Sequence, residues 1–152
     1  MPLKVNSLKD AFSGSKILKV ENLDLWDTKN IKNMSSVFEN ASNFNQDLSK
    51  WNTENVTDMS AMFKDAIKFN QPLNKWKVNN VKDMDDMFAG AKEFNQDLDK
   101  WETSSLANIN QMFWDATSFN GNITTKDFNK EIQNTFGNEN LPKFNISITY
   151  SK

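Results

Sequence analysis

Apolar residues recur along this chain at steps of three and four, and the whole pattern returns every 25 residues. Val56, Met59, Met62, Phe63 and Ala66 fall on one side of a 3.6-residue period, which predicts a helix of about three turns. The residue before this stretch is Asn30, Asn55, Asn80 or Ser105 in successive copies, followed three places on by Asn33, Asp58, Asp83 or Asn108. Each copy therefore offers a side-chain N-cap and an acidic or amide first turn. Beyond the helix, Leu48-x-x-Trp51-x-Thr53 sets Trp51 and Thr53 on one face at strand period, with Lys50, Asn52 and Glu54 on the other. One unit thus predicts a short strand, a turn and a short helix.

The repetition is strict in five columns. Trp26, Trp51, Trp76 and Trp101 are 25 apart, as are Phe38, Phe63, Phe88 and Phe113, and Ala41, Ala66, Ala91 and Ala116. Phe44, Phe69, Phe94 and Phe119 are followed in every copy by Asn45, Asn70, Asn95 and Asn120. Softer apolar columns join them, such as Met34, Met59, Met84 and Ile109, or Leu23, Leu48, Leu73, Leu98 and Ile123. Val5, Leu8, Ala11, Phe12 and Leu18 fit as a fifth, worn copy at a step of 26, so repeats span about residues 5–123. The Trp column stops there, because position 126 is Lys126.

A single 25-residue unit has too little apolar surface to offset its ordering entropy, so successive units must stack and close their aromatic columns over one another. The prediction is a single domain over 1–152, an α/β solenoid of about five units with a parallel strand per turn and helices as the other wall. The repeated Asn reads as a structural ladder, its amide satisfying backbone groups at a turn where no Gly stands. Residues 124–152 read as a C-terminal cap. Thr125 starts a helix with Phe128, Ile132 and Phe136, and Phe144, Ile146, Ile148 and Tyr150 alternate as a half-buried strand.

Composition narrows the chemistry. The 152 residues include no Cys, no His and no Arg, which excludes a disulfide framework, a cysteine metal site and any side chain whose ordinary pKa lies near neutrality. With 4 Gly there is no material for a Gly-rich phosphate loop. No apolar run approaches the roughly 18 residues of a membrane span, and residues 1–20 carry scattered Lys in place of a signal peptide. Neither a cofactor nor a metal is expected. Asp83, Asp85 and Asp86 lack the Gly and distal Glu of a calcium loop and read as a solvated face. Asn-x-Ser/Thr triplets begin at Asn33, Asn40, Asn55, Asn122 and Asn145, as an Asn-rich chain produces by accident.

The stretch Trp-x-Thr-x-Asn-Val-x-Asp-Met-Ser-x-Met-Phe-x-x-Ala-x-x-Phe-Asn-Gln-x-Leu, from Trp51 to Leu73, resembles the bacterial surface-protein repeat of 25 to 26 residues. That repeat occurs in Listeria-type surface proteins and mycoplasma lipoproteins and is grouped with BspA-like leucine-rich repeats. The resemblance implies a leucine-rich-repeat-like right-handed coil, a cell-surface or extracellular location, contact with host molecules and no enzymatic activity. The lipobox cysteine of such lipoproteins is missing here, which leaves a cytoplasmic location open.

Two features are candidate binding sites. The polar side of the strand segments collects Lys50, Lys75, Lys77 and Lys100 with Asn52 and Glu102, and stacking like charges between neighbouring strands is unfavourable unless something offsets it. A bound partner is one offset; Glu54, Asp99 and Glu102 on a solvated face are the other. Trp114 stands outside the Trp column and is either a contact for the C-terminal cap or an anchor for a partner. The absence of Arg and an acidic pI of 5.2 argue against nucleic acid. The expected function is a non-enzymatic surface module that binds a host protein or glycan. The alternatives are a structural spacer and an intracellular scaffold.

Overall fold

The structure, a computed structural model, describes residues 5–106, 108–124 and 148–149. Regular secondary structure among them is confined to a 3-10 turn at Leu23–Leu25 and two short strands, β1 (Ile123–Thr124) and β2 (Ile148–Thr149). The α/β solenoid with a strand and a helix in each unit is therefore not what this chain forms, and the leucine-rich-repeat-like coil falls with it. The units do lie side by side in parallel. Isolated bridges join Ser7 to Asn33, a step of 26, and then Asn33 to Asp58, Asp58 to Asp83 and Asp83 to Asn108 at steps of 25.

The reason there is no α-helix among the described residues lies in where the backbone N–H groups go. An α-helix sends each N–H to the carbonyl four residues back in its own segment. Here alternate N–H groups leave the unit. Those of Met59, Ala61, Phe63 and Asp65 donate to the carbonyls of Asp83, Asp85, Met87 and Ala89 in the next unit, at 2.8–2.9 Å. Met34, Ser36, Phe38 and Asn40 do the same toward Asp58, Ser60, Met62 and Lys64, as do Met84, Asp86, Phe88 and Gly90 toward Asn108, Asn110, Met112 and Trp114. The intervening groups close turns within the unit, from Met62 to Met59, Lys64 to Ala61 and Ala66 to Phe63. A run of such turns brings apolar residues to one side at steps of three and four, which is the spacing a helix shows.

Turning these alternate donors the same way requires left-handed backbone at fixed places. Ser36, Ala61, Asp86 and Gln111 have φ of 52–57°, and Asn40, Asp65, Gly90 and Asp115 have φ of 56–70°. Most of these are the small polar residues and glycine that tolerate such angles; Ala61 has no such aptitude. At Gly90 a Cβ would in addition meet the Asp65 carboxylate, which would have to turn aside.

The expected N-caps also serve otherwise. Asn55 Nδ2 donates across the unit boundary to the Lys29 carbonyl (2.7 Å), and Asn80 Nδ2 to that of Glu54 (2.8 Å). Asn33, Asp58 and Asp83 accept the N–H two residues on, in Asx turns of 2.8–2.9 Å. The expected strand keeps its alternation, with Trp51 and Thr53 buried and Lys50, Asn52 and Glu54 exposed. Its ladder is made by side chains. Thr28 Oγ1 accepts from the Asn52 N–H (2.8 Å) and donates to the Asn52 carbonyl (3.0 Å), and Thr53 Oγ1 donates to the Lys77 carbonyl (2.9 Å).

The core is a set of aromatic columns. Phe12, Phe38, Phe63, Phe88 and Phe113 stack with centroids 5.4–5.6 Å apart, and Phe44, Phe69, Phe94 and Phe119 stack at 5.9–6.0 Å. Within a unit the two columns meet at 4.0–4.1 Å. The buried indoles of Trp51, Trp76 and Trp101 each donate Nε1–H to a carbonyl of the preceding unit, at Leu23, Leu48 and Leu73, all at 2.9 Å. Trp26, in the first full unit, packs at a tilt on Phe12, stacks on Trp51 and is 37 % exposed.

The predicted cap helix over Phe128–Phe136 lies outside the described residues, as does most of the predicted strand. β2 pairs with β1 in parallel, Ile123 to Ile148 and Thr124 to Thr149. That is again a step of 25, following the bridge from Leu98 to Ile123. Phe144 and Asn145 stand 25 residues after Phe119 and Asn120, a continuation of two columns past the point where the Trp column stops.

Two substitutions test this arrangement. Ala61→Gly would cost about 1 kcal/mol in a helix interior. At φ 52° it relieves strain instead, so denaturant unfolding is expected to show unchanged or increased stability. Trp76→Phe keeps a ring in the stack but removes the indole bond to the Leu48 carbonyl, which retains the Trp51 N–H, for an expected loss of about 0.5–1.5 kcal/mol in the same measurement.

Candidate binding groove

The polar side chains beside the Trp column are positioned by the alternation of residues 50–54, 75–79 and 100–104, in which every second residue is held in the core. Around the fourth unit this side opens into a groove of about 550 Å³, lined by Glu54, Asn74, Lys75, Trp76, Lys77, Asn79, Asn80, Lys100 and Glu102. Of the residues expected to bind, Lys75, Lys77, Lys100 and Glu102 come together there. Trp76 closes the inner wall; at 3 % exposure it is no stacking platform.

The other three candidates lie elsewhere. Lys50 lines a separate depression of about 250 Å³ with Leu23, Asp24, Gln46 and Asp47, and is paired with Asp24 at 3.5 Å. Asn52 turns its Oδ1 back to the Glu54 N–H (3.0 Å). Trp114 is 44 % exposed and is absent from both linings; its carbonyl accepts the Gly90 N–H at 2.7 Å. Whether it touches the cap is a question that falls on residues outside the described ones.

The Asn column makes a continuous side-chain ladder. The amide oxygens of Asn45, Asn70 and Asn95 accept the N–H of Asn70, Asn95 and Asn120 at 2.8–2.9 Å. Gln71 and Gln96 reinforce it, each donating Nε2–H to the Asn one unit back, at 3.1 and 3.0 Å on Oδ1. The Oδ1 atoms of Asn45, Asn70 and Asn95 are thus engaged by the fold.

Inside the groove the hydrogen bonds tie units together and leave cations over. Asn74 Nδ2 donates to Asp99 (2.8 Å) while its Oδ1 accepts the Lys100 N–H (3.0 Å), and Asn79 Nδ2 donates to Glu102 Oε2 (2.6 Å). Lys75, Lys77 and Lys100 have no carboxylate within 4 Å among the described residues, whereas Lys50, Lys64 and Lys92 each have one in a neighbouring unit. At longer range Lys75 acts on Asp47. The N–H and hydroxyl of Ser49 bonded to Asp47 hold its carboxyl below the ordinary carboxylate range, slight burial opposes this, and Lys50 and then Lys75 add to the lowering.

Asn74 and Asn80 are groove residues that the face columns do not include, Asn74 because it belongs to the neighbouring column and Asn80 because it reads as a helix cap. The column Asp24, Ser49, Asn74, Asp99 carries the missing signal: it lies beside the Lys column and loses its acid in its two middle copies. Among the described residues no group of three or more acidic side chains is placed to hold a metal ion, and no helix is long and apolar enough to cross a membrane.

An aromatic-laddered stack of 25-residue units carrying a polar groove defines a repeat protein. The chain belongs to the family described as Mycoplasma protein of unknown function, DUF285, which it matches over residues 6–128. No curated protein and no solved structure matches it.

Lys77 stands where Asp27 and Asn52 close turns by accepting the N–H of Lys29 (3.1 Å) and Glu54 (3.0 Å). A lysine cannot accept. Lys77→Asn is therefore expected to stabilise the protein by about 0.5–1 kcal/mol in thermal or urea unfolding, by restoring that bond to the Asn79 N–H.

Proposed function

We propose that this chain is a non-enzymatic interaction module, displayed at a bacterial surface, that binds a host protein or glycan through the groove at Lys75, Lys77 and Lys100. The single observation that carries this reading is the gathering in one concavity of three lysines that have no carboxylate within 4 Å among the described residues. The absence of any His or Cys and the commitment of the Asn, Thr and Trp columns to backbone bonding support a binding role over catalysis. Membership of a mycoplasma family and the resemblance of its repeats to bacterial surface proteins support display on the cell exterior.

The test is binding of the labelled protein to intact cultured animal cells. Saturable binding is expected, reduced about tenfold in Lys75→Ala/Lys100→Ala and unchanged in Lys68→Ala, which lies outside the groove. A protein that binds no cell surface, or whose binding ignores the groove pair, would favour a structural spacer.

A further inference from the structure

The repeat supplies its own internal controls for the groove. At the unit where Lys50 pairs with Asp24, the acid lies 26 residues before the lysine. Counting back the same 26 from Lys75 and Lys100 reaches Ser49 and Asn74, both uncharged. The geometry that neutralises Lys50 is thus repeated twice with its acid removed. Lys77 departs from the pattern independently, since it replaces a turn-forming Asp or Asn and forgoes that hydrogen bond. Asn74 and Lys77, departures in two columns, line the same concavity as Lys75 and Lys100.

The rest of the lining limits what that concavity takes. Glu54 and Glu102 line the same groove, so a ligand with a dense row of negative charges meets repulsion beside each attraction. Asn79 and Asn80 spend their Nδ2–H groups on Glu102 and on the Glu54 carbonyl, which leaves both amide oxygens as acceptors. Cationic donors next to acceptors that seek hydroxyl donors match a body rich in hydroxyls that carries an isolated anionic group. We propose that the groove binds an acidic glycan, its carboxylate or sulfate held by Lys75, Lys77 and Lys100 and its neighbouring hydroxyls donating to Glu54, Asn79 and Asn80. This rests on the groove being the binding surface proposed above, and it names the ligand class.

The experiment is titration calorimetry of the full chain against a sialylated oligosaccharide, a sulfated one, the uncharged counterpart of each, and a poly-glutamate peptide. One acid-bearing oligosaccharide is expected to bind saturably, with its uncharged counterpart and the peptide at least about tenfold weaker. Which of the two binds tells carboxylate from sulfate. Lys75→Ala/Lys100→Ala should weaken it about tenfold at unchanged thermal stability, and Lys77→Arg should retain it. Equal affinity for the uncharged sugar, preference for the peptide, or no binding to either acidic glycan overturns the inference. Cell binding that depends on the groove and survives glycosidase treatment of the cells would also overturn it, while leaving the interaction module intact.

Discussion

Everything in this molecule depends on the export of backbone hydrogen bonds to neighbouring units, forward at residues such as Met59 and Phe63 and backward at Thr57 and Lys82. In residues 34–40 and their counterparts, alternate N–H groups donate to the following unit and the matching carbonyls accept from the preceding one. A lone unit would leave those donors and acceptors for water or, when covered, unpaired at about 1–3 kcal/mol each. Stacking in register satisfies all of them and buries the aromatic columns in the same step. The order of a unit is therefore a property of its neighbours, which is why the left-handed angles at Ser36, Ala61, Asp86 and Gln111 persist at every turn.

The side chains follow the same rule at constant offsets. Indole N–H groups reach back 28 residues, Asn amides accept from 25 residues on, and Thr hydroxyls reach 24 residues ahead. Contacts that are distant along the chain are nearest neighbours in space, so the stack can vary one unit without disturbing those beyond the next. Variation is then legible against a fixed background. Lys77, which takes a turn-former's place and forgoes its hydrogen bond, and Asn74, which stands before a lysine in the place of an acid, both line the groove.

Much of this was readable from the residues. The columns of Trp26 to Trp101 and Phe38 to Phe113, the parallel stacking and the alternation that exposes Lys75 and Lys77 all follow from a 25-residue period and from which residues prefer a core. The helix did not follow, because Val56, Met59, Met62, Phe63 and Ala66 satisfy a helical period and a run of turns equally well. Nothing local to Ala61 announces a left-handed angle. The strand at Trp51–Thr53 was half right: its faces alternate, but Thr28 and Thr53 hydroxyls hold it where a backbone ladder was expected. At the far end, β2 continues the step of 25 beyond the last Trp, a register visible in Phe144 and Asn145 once the Trp column is set aside.

What the sequence by itself determined is periodicity, the content of the core and the chemistry on its surface, because burial and charge belong to individual side chains at fixed spacing. What only the tertiary structure decided is the partner of each backbone N–H, and with it the local conformation, because that partner sits in the next unit and no single 25-residue stretch contains it. The groove belongs to the second kind. Its lysines are written in the chain, but their convergence with Asn79, Asn80 and Glu102 in one concavity exists only when adjacent units are laid side by side.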